Sequence, residues 1–575
     1  MLVLTRARYV AIVLAALVAS VVLVAGPLAP PANATTAIVA TEAAYRDAIA
    51  DFSADASGPH TITLTADIEL TGTDTPRYTG SHDLTIMSDP VSATPFVVSH
   101  DGLDPLGFLE FYPTDGATLT LERVVVEGIV GGPALDAAGD VVLDNAVFLD
   151  NAVASLEGAV YVEDATVTVT DSVFEGNGGG LTATDSDVTV VDSIFVNNSM
   201  VPDDPDDLVG LFGLGTGALA VFFGSLDVSG TVFAHNQGML LGGAITAVFT
   251  EATITDSTFS NNAVHTVEDI CADADTFLMC GGGAITSLLG YLEVRDSSFV
   301  GNTVVDDNCT MFEPDSGFVS GDLLIPSCAG GAIMTFQAYV DIRDSYFAGN
   351  DAFAGGALGL IYSLASTSGT TFEGNTAHAG GAVFAEYAAT LVIDSTLHNN
   401  SAEFGGAMVV LSDPDAGFLD PEDLPNEEDL AEFLTGTTAE IVDTFLDWAF
   451  FPGFGVAVNS TFTGNDATED AGGIGVLGAL AYLEHVTMVG NEAGAGTAGH
   501  LLIEDSVVML RTSALVGALG GDSCTGLGGS PASVASLGYN FSDENSCFGD
   551  SGALPSDRVT VDAVLLGALS DNGGA

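Results

Sequence analysis

A repeated pattern, Asp-Ser-x-Phe-x-x-Asn followed by a Gly-Gly-Ala step, runs through most of this sequence. Where nothing is inserted, successive copies lie 25 or 26 residues apart, as between Phe347 and Phe372. A fixed period of this size is typical of stacked identical units, each too small to bury its own apolar face. The pattern therefore predicts a solenoid. Its best copies place a structural ladder at Phe148, Phe174, Phe195, Phe233, Phe259, Phe299, Phe347 and Phe372, and at Asn151, Asn177, Asn198, Asn236, Asn262, Asn302, Asn350 and Asn375.

Each repeat divides into short strands separated by turn residues. The residues five and seven before the phenylalanine are apolar, as at Val294 and Leu292, and this alternation indicates a strand. Asp-Ser suits a bend, and the phenylalanine then points inward from a second strand. We expect the ladder asparagine to occupy a left-handed turn position, and Gly-Gly to form the next corner before a third strand. The prediction is an all-β, right-handed parallel β-helix with three short strands per coil.

The repeats define a domain plan. Thr41 to Ile49 has the pattern of a capped amphipathic helix, so residues 35–75 are predicted to form an N-terminal capping helix and the first strands. Residues 76–515 hold the β-helix, and 516–575 form a C-terminal cap. Insertions interrupt the repeats near 199–216, 263–281, 303–329 and 412–456.

The insertions fall into two kinds. The first three lengthen the same segment of the coil and are acidic, so they are expected to form one lobe at one edge of the rod. Such a lobe is either a partner-binding surface or tolerated decoration. The fourth contains two helical stretches and the only tryptophan, Trp448. It is predicted to form a small helical hairpin on the flank of the rod.

The beginning of the chain has the features of an export signal. Arg6 and Arg8 precede an apolar run from Tyr9 to Ala25, and Ala32-Asn33-Ala34 forms a small-x-small cleavage site. Residues 1–34 are therefore predicted to be a signal peptide. No later segment approaches the length needed to span a bilayer, so the mature chain is expected to lack a transmembrane segment and to be secreted or held at the cell surface.

The charge is extreme and narrows the range of partners. The chain has 9 basic and 78 acidic residues, and loss of Arg6 and Arg8 leaves 7 − 78 = −71. Such a field repels nucleic acid and acidic polysaccharides, and it is expected to keep the protein monomeric. Calcium is the one candidate cofactor, since cations would screen the carboxylates. Ordinary Gly-Gly-x-Gly-x-Asp calcium repeats are absent from the sequence, so no metal-ligating residue is assigned.

Six cysteines in an exported chain indicate disulfide bonds. Local pairing is favoured because a stacked solenoid keeps sequence neighbours close together. Zinc binding is the alternative, but the cysteines show no Cys-x-x-Cys spacing. The predicted pairs are Cys271 with Cys280, Cys309 with Cys328, and Cys524 with Cys547.

No catalytic constellation stands out in the sequence. Arg295 and Arg343 occupy one repeat position beside Glu293 and Asp341, which indicates surface ion pairs on adjacent coils. A hydrolase would need two carboxyl groups flanking one bond, and 78 acidic residues do not exclude such a pair. A non-catalytic role in adhesion to an extracellular glycan or protein is favoured. A lyase or hydrolase acting on a neutral polysaccharide is the alternative.

Two parts of the sequence resemble known families. The paired Gly-Gly-Ala-Ile and Phe-x-x-Asn motifs, from Phe148 to Asn491, resemble the repeat of polymorphic outer membrane proteins. The resemblance implies a surface-exposed β-helix, several members being implicated in adhesion, and outer-membrane association by family. The stretch from Leu537 to Gly574 is similar to the choice-of-anchor Q region of exported bacterial β-helix proteins. That similarity implies further sequence with a surface-sorting tail.

Overall fold

The structure is a computed structural model that describes most of the chain after the predicted signal peptide. The helical hairpin predicted within 412–456 and most of the predicted acidic lobe lie outside the described residues. These are 35–71, 74–100, 106–152, 157–200, 215–266, 271, 280–305, 309, 311–312, 325–326, 328–412, 453–494, 498–526, 534–548 and 553–560.

The predicted parallel β-helix is confirmed. Its coils stack into three long sheets of 30, 16 and 10 strands. Neighbouring strands run parallel and in register, as in Tyr291–Arg295 beside Tyr339–Arg343. The largest sheet bends along its length, so each coil contributes two of its strands, and we call these the first and second strand columns. The third and fourth columns form the other two sides.

The first column follows the Gly-Gly step, and the second follows a bend. Leu219–Ser229 and Ile245–Thr255 run through the bend and belong to both columns. The other strands of the first column are Arg77–Tyr78, Leu109–Phe111, Leu135–Ala137, Val160–Glu163, Leu181–Thr184, Ile285–Leu288, Ile333–Phe336, Leu358–Ile361, Val383–Glu386, Met408–Leu411, Ile474–Leu477, Ala498–Glu504 and Asp522–Thr525. Those of the second are Thr35–Val39, His60–Leu64, Leu84–Ser88, Leu119–Glu122, Val141–Asp144, Thr166–Thr170, Asp187–Val191, Tyr291–Arg295, Tyr339–Arg343, Leu364–Ser368, Ala389–Ile393, Phe454–Val458, Leu480–Glu484, Val507–Arg511 and Val534–Gly538.

The third column carries the phenylalanines, and the fourth follows the ladder asparagines. The third consists of Ile68–Glu69, Phe96–Ser99, Val124–Glu127, Val147–Leu149, Val173–Glu175, Ile194–Val196, Val232–Ala234, Thr258–Ser260, Ser298–Val300, Tyr346–Ala348, Thr371–Glu373, Thr396–His398, Thr461–Thr463, Thr487–Val489, Ala514–Val516 and Phe541–Ser542. The fourth consists of Gln237–Met239, Ala263–His265, Cys280–Gly281, Thr303–Val305, Cys328–Ala329, Asp351–Ala354, Thr376–Ala379, Ser401–Phe404, Asp466–Asp470 and Glu492–Ala493. A separate antiparallel pair joins Met311–Phe312 to Ile325–Pro326.

The core is a file of stacked rings. Fifteen steps between the 16 strands of the third column, at about 4.8 Å each, give a rod of roughly 72 Å. Neighbouring rings have centroids 4.6 to 5.1 Å apart, and all are fully buried. The stacked rings are those of Phe148, Phe174, Phe195, Phe233, Phe259, Phe299, Phe347 and Phe372.

The buried asparagines form a hydrogen-bonded ladder beside the rings. Asn262 Nδ2 donates to Asn302 Oδ1 at 3.0 Å, and Asn302 Nδ2 donates to Asn350 Oδ1 at 3.0 Å. The expectation that these asparagines take the left-handed conformation is wrong. The residue before them does so, as at Gly301 (φ 66°) and Asn261 (φ 53°), which leaves the ladder side chain free to point inward.

The Gly-Gly corner behaves as predicted. The first glycine of the pair usually has a positive φ, as at Gly282 (71°) and Gly330 (70°), and at the Gly472–Gly473 corner Ala471 (φ 62°) takes this conformation instead. A Cβ on Gly282 would lie 2.2 Å from the carbonyl oxygen of Ile285, so only glycine fits.

A helix caps the first coils. It is α1 (Glu42–Ala54), and the Thr41 hydroxyl accepts a hydrogen bond from the Ala44 amide at 3.3 Å. Tyr45, Ile49 and Phe52 are buried against the rod. The predicted capping helix is therefore confirmed, although coil pairing already begins with Thr35–Val39.

Three disulfide bonds join Cys271 to Cys280, Cys309 to Cys328 and Cys524 to Cys547, the local pairs expected from the sequence. Cys280 and Cys328 are register partners in the fourth column. The first two bridges therefore lie on adjacent coils at one edge of the rod, where the second and third insertions leave it.

Candidate functional site

The left-handed turn residues of the rod differ in kind from one turn to another. The turn between the second and third columns uses mainly aspartate, as at Asp256 and Asp296, and the next turn uses mainly glycine and asparagine. These residue types tolerate positive φ, which costs other residues about 1–2 kcal/mol. Such turns are explained by local backbone needs alone.

The turn between the first and second columns departs from this rule. It holds Asp164 and Asp185 in the early coils and Gly478 and Asp505 in the late ones. In six of the coils between, bulky or long side chains take the same left-handed position. They are Phe223 (φ 58°), Phe249 (φ 51°), Leu289 (φ 55°), Gln337 (φ 48°), Tyr362 (φ 48°) and Tyr387 (φ 45°), which we call the aromatic stripe.

The stripe is continuous along the rod because the turns stack coil on coil. The Leu289 amide donates to the Phe336 carbonyl at 3.0 Å, and the Gln337 amide donates to the Ile361 carbonyl at 3.1 Å. Phe223 and Phe249 stack with centroids 5.1 Å apart, and Tyr362 and Tyr387 stack at 5.0 Å. The stripe therefore holds one stacked pair of rings at each end, with Leu289 and Gln337 between the two pairs.

The stripe faces solvent at its N-terminal end. Phe223 is 51% exposed, Phe249 49% and Leu289 40%. Large apolar side chains on strained backbone contribute little to folding when they are this exposed. Strain of this kind is concentrated at functional sites, where the surrounding structure maintains it. The stripe is the candidate functional site.

A hollow of about 370 Å³ lies at the N-terminal end of the stripe. Phe249 stacks on one face of the Phe223 ring, so the other face borders this hollow. Apart from Gly224, the rest of its lining comes from earlier coils and is rich in carboxylates. The lining residues are Asp140, Asp164, Ala165, Thr166, Asp185, Ser186, Asp187, Phe223 and Gly224.

Two of the four carboxylates are held in place by short hydrogen bonds. Asp140 Oδ1 accepts from the Thr166 amide at 2.8 Å, and Asp187 Oδ1 accepts from Ser225 Oγ at 2.6 Å. Asp164 and Asp185 are exposed at the turn itself. The hollow thus combines one apolar ring face with several hydrogen-bond acceptors, a combination that suits a hydroxyl-bearing ring.

Beside the stripe, the second column carries two further tyrosines and the arginines noted in the sequence. Tyr291 and Tyr339 stack with centroids 5.1 Å apart, and burial raises the pKa of Tyr339 to about 12. Arg295 pairs with Glu293. The same pairing recurs one coil on, where Arg343 NH2 lies 2.6 Å from an oxygen of Asp341. Each arginine therefore forms an ion pair with an acidic residue of its own strand, as predicted, and neither is an unpaired side chain that could act as a base.

A buried carboxyl group lies on the outer face of the first column. Glu386 is 0% exposed, and neither side-chain oxygen has a hydrogen-bond partner in the described part of the chain. Burial raises its pKa well above the ordinary value. Burial and the nearby Glu386 carboxyl together raise the pKa of Tyr362 to about 12.

Sequence reasoning missed both the stripe and Glu386. The signal for the stripe was present, since the residue five positions after the Gly-Gly-Ala alanine or its equivalent changes from aspartate to phenylalanine, leucine, glutamine and tyrosine along the rod. Glu386 also breaks the pattern of its column, because it is acidic while its register neighbours, Ile361 and Leu411, are apolar. The predicted ladder residues, in contrast, are structural and lie inside the rod.

The described residues show neither a metal-binding group nor a membrane-spanning helix. Within the described ranges, no group of three or more histidine, cysteine, aspartate or glutamate side chains is arranged to hold a metal ion. Nor do the described residues include a helix of the length and apolarity that crossing a membrane requires.

Comparisons with known proteins add the following. No family model and no curated relative matches the chain. A glycoside hydrolase family 87 α-1,3-glucanase catalytic domain solved with tetrasaccharides is 10% identical over 90% of this chain and 71% of its own, with a TM-score of 0.28. Tailspike protein 3 of bacteriophage CBA120 is 11% identical over 86% and 59%, with a TM-score of 0.22. The Azotobacter vinelandii mannuronan C-5 epimerase A-module is 9% identical over 88% and 95%, with a TM-score of 0.21. TM-scores this low support no inference about function.

The strain in the stripe can be measured. Replacing Leu289 with asparagine is expected to raise the free energy of unfolding by about 0.5–1 kcal/mol, because asparagine tolerates positive φ. The opposite exchange at the next turn, Asp296→Leu, is expected to lower it by about 1–2 kcal/mol. Urea denaturation followed by circular dichroism measures both. A less stable Leu289→Asn protein would show that the leucine is there for packing.

Proposed function

We propose that this protein is an exported β-helix interaction module that binds an uncharged glycan through the aromatic stripe and the adjoining hollow, without cleaving it. One observation carries the proposal: Phe223 keeps a half-exposed ring on left-handed backbone and turns its free face toward a hollow lined by four carboxylates.

The chemistry of the hollow favours a sugar. The C–H faces of a pyranose pack on an aromatic ring, and its hydroxyl groups donate hydrogen bonds to carboxylate oxygens. The net charge of −69 and the carboxylates of the hollow repel acidic sugars, so the glycan is uncharged. The stripe continues past the hollow for five more coils, which gives a polysaccharide chain room to extend along the rod.

Export is consistent with this role. Three disulfide bonds are typical of proteins that fold outside the cytoplasm. The sequence resemblances to polymorphic outer membrane repeats and to the choice-of-anchor Q region support a place at the cell surface and a part in adhesion.

A carbohydrate-active enzyme is the second candidate. The observation in its favour is the group of carboxylates beside Phe223, because glycoside hydrolases place two carboxyl groups on either side of the scissile bond. Asp164 and Asp185 would be the pair to test, since both lie exposed at the first turn.

The test is binding to an array of uncharged glycans, followed by calorimetry on the best ligand. Phe223→Ala is expected to weaken binding about tenfold, the equivalent of about 1.4 kcal/mol of lost ring contact. Tyr539→Ala is the matched control, because Tyr539 is also a left-handed aromatic residue and is 73% exposed, but lies far from the stripe. It is expected to bind as the wild type does.

The outcomes separate the two candidates. Saturable binding that is lost with Phe223, without release of reducing sugar, supports the interaction module. Sugar release that disappears in Asp164→Asn or Asp185→Asn establishes the enzyme instead. Equal binding by Phe223→Ala and wild type overturns the stripe as the binding site.

A further inference from the structure

The asparagine ladder ends at a histidine. Asn491 Oδ1 accepts from the backbone amide and the side chain of Asn465 at 3.0 and 2.9 Å, as along the rest of the ladder. In the next coil the equivalent position, three residues after Leu515, is Ala518. The imidazole of His500 replaces the missing asparagine, since its Nδ1 lies 3.1 Å from Asn491 Nδ2.

His500 holds a core position that belongs to small residues in the coils before it. The residue just before the first-column strand is Ala407 in one coil and Gly473 in the next, and His500 follows them in register. The His500 side chain is fully buried, and its Nε2 lies 3.1 Å from the Val516 carbonyl oxygen. Both ring nitrogens therefore have a partner inside the rod.

The direction of the ladder determines the protonation state of this ring. Because Asn491 Oδ1 faces Asn465, the atom that faces His500 is the amide nitrogen, which can only donate. His500 Nδ1 therefore accepts and carries no hydrogen. The Val516 carbonyl can only accept, so Nε2 carries the hydrogen. Only the neutral imidazole satisfies both neighbours, since a protonated ring would direct an N–H at the amide nitrogen of Asn491.

The charged groups that act on His500 come from the C-terminal cap. The neighbouring coils contact the ring through Asn491 and Val516, which carry no charge. Burial lowers the pKa of His500 to about 4, although the Val516 carbonyl, Asp543 and Glu544 act in the opposite direction. Asp543 Oδ2 also accepts from the amide of Gly517 at 2.7 Å, so the cap is attached to the same turn that His500 contacts.

We propose that His500 is a pH-sensitive switch at the C-terminal end of the rod, where its protonation breaks the last step of the ladder and opens the coils after Asn491. In an opened coil the imidazole takes up a proton near pH 6.5, whereas in the closed rod it does so only near pH 4. The last coils therefore lose stability as the pH falls from 6.5 toward 4, while the middle of the rod stays closed. Opening uncovers strand edges that can pair with another chain.

Hydrogen–deuterium exchange of the full chain, followed by mass spectrometry and corrected for intrinsic rates, measures this opening. The open fraction of Ala498–Glu504 and Ala514–Val516 is expected to rise up to about tenfold for each pH unit between 6.5 and 4. Tyr339–Arg343, in the middle of the rod, is expected to show no such rise. His500→Gln keeps one acceptor and one donor but does not titrate, so it is expected to remove the pH dependence. His235→Asn is the matched control and is expected to follow the wild type, because His235 is exposed at a left-handed turn (φ 56°) that asparagine tolerates.

Other outcomes overturn the proposal. Equal pH dependence in wild type and His500→Gln would assign the opening to Asp543 and Glu544 instead. Protection of the last coils that does not change with pH in the wild type would show that the closed rod accepts the proton. If His500→Gln does not fold, exchange of the imidazole C2 hydrogen in the wild type reports the pKa of His500 directly. A value near 4 is expected there, and a value near 6.5 contradicts the switch.

Discussion

Replacing Asn302 with alanine is expected to lower the free energy of unfolding by about 3–9 kcal/mol, because three buried polar groups would lose their partners at about 1–3 kcal/mol each. Asn302 Oδ1 accepts from both the backbone amide and the side chain of Asn262 at 3.0 Å. Asn302 Nδ2 donates to the Phe259 carbonyl at 3.1 Å. Alanine removes all of these bonds in a site that water does not reach.

Asn261 is the matched control for this substitution. It is the residue before a ladder asparagine, it is exposed, and it takes the left-handed conformation (φ 53°). Asn261→Gly is expected to change the stability by no more than about 0.5 kcal/mol, since glycine accepts the same backbone. Urea unfolding at neutral pH compares the two variants. Equal stability of Asn302→Ala and wild type would show that the ladder is a packing feature only.

The ladders were predictable because the interior of a β-helix leaves few choices. The repeat places Phe299 directly between Phe259 and Phe347 although insertions lengthen the spacing, and the same repeat aligns the asparagines. The disulfide pairs were predictable from sequence proximity, since Cys271 and Cys309 each lie in the insertion that returns to the rod at Cys280 and Cys328. Whatever repeats in sequence must superimpose in space, so the core follows from the period.

The outer surface was not predictable in this way. The period says where an outward residue lies but not what it does. The change of residue type at Phe223 was visible in the sequence, but its position at a solvent-facing turn was known only once the strands were aligned. The assignment of left-handed backbone to the ladder asparagine failed on a related point. Two neighbouring residues of this turn have different roles, and the sequence does not distinguish them. The structure shows that the residue before the ladder asparagine takes the left-handed conformation.

Hydrophobic alternation and the turn residues predicted three strands in each coil, and these correspond to the first, second and third columns. The fourth column, which follows the ladder asparagines, was not predicted. The bend within the largest sheet was not foreseen, because a bend within one continuous strand such as Ile245–Thr255 leaves the alternation almost undisturbed. That bend creates the first turn. The candidate binding site therefore lies at a bend that the pattern of apolar residues does not reveal.

Replacing Glu386 with glutamine is expected to stabilise the protein at neutral and alkaline pH and to leave it unchanged in acid. Burial raises the pKa of Glu386 well above 4.5, so below pH 4.5 the carboxyl is protonated in both folded and unfolded chains and costs nothing extra. As the pH rises, the unfolded chain loses the proton while the folded chain keeps it. The stability of the wild type then falls by about 1.4 kcal/mol for each pH unit, until the folded carboxyl also ionises.

Glu163 provides the control for this titration, because it holds the same outward position in an earlier coil but is exposed. Unfolding free energies measured by urea from pH 4 to pH 9 should diverge between wild type and Glu386→Gln, while Glu163→Gln follows the wild type. A constant difference between wild type and Glu386→Gln across this range would mean that Glu386 titrates normally. In that case the outer face of the first column around Glu386 is open to water.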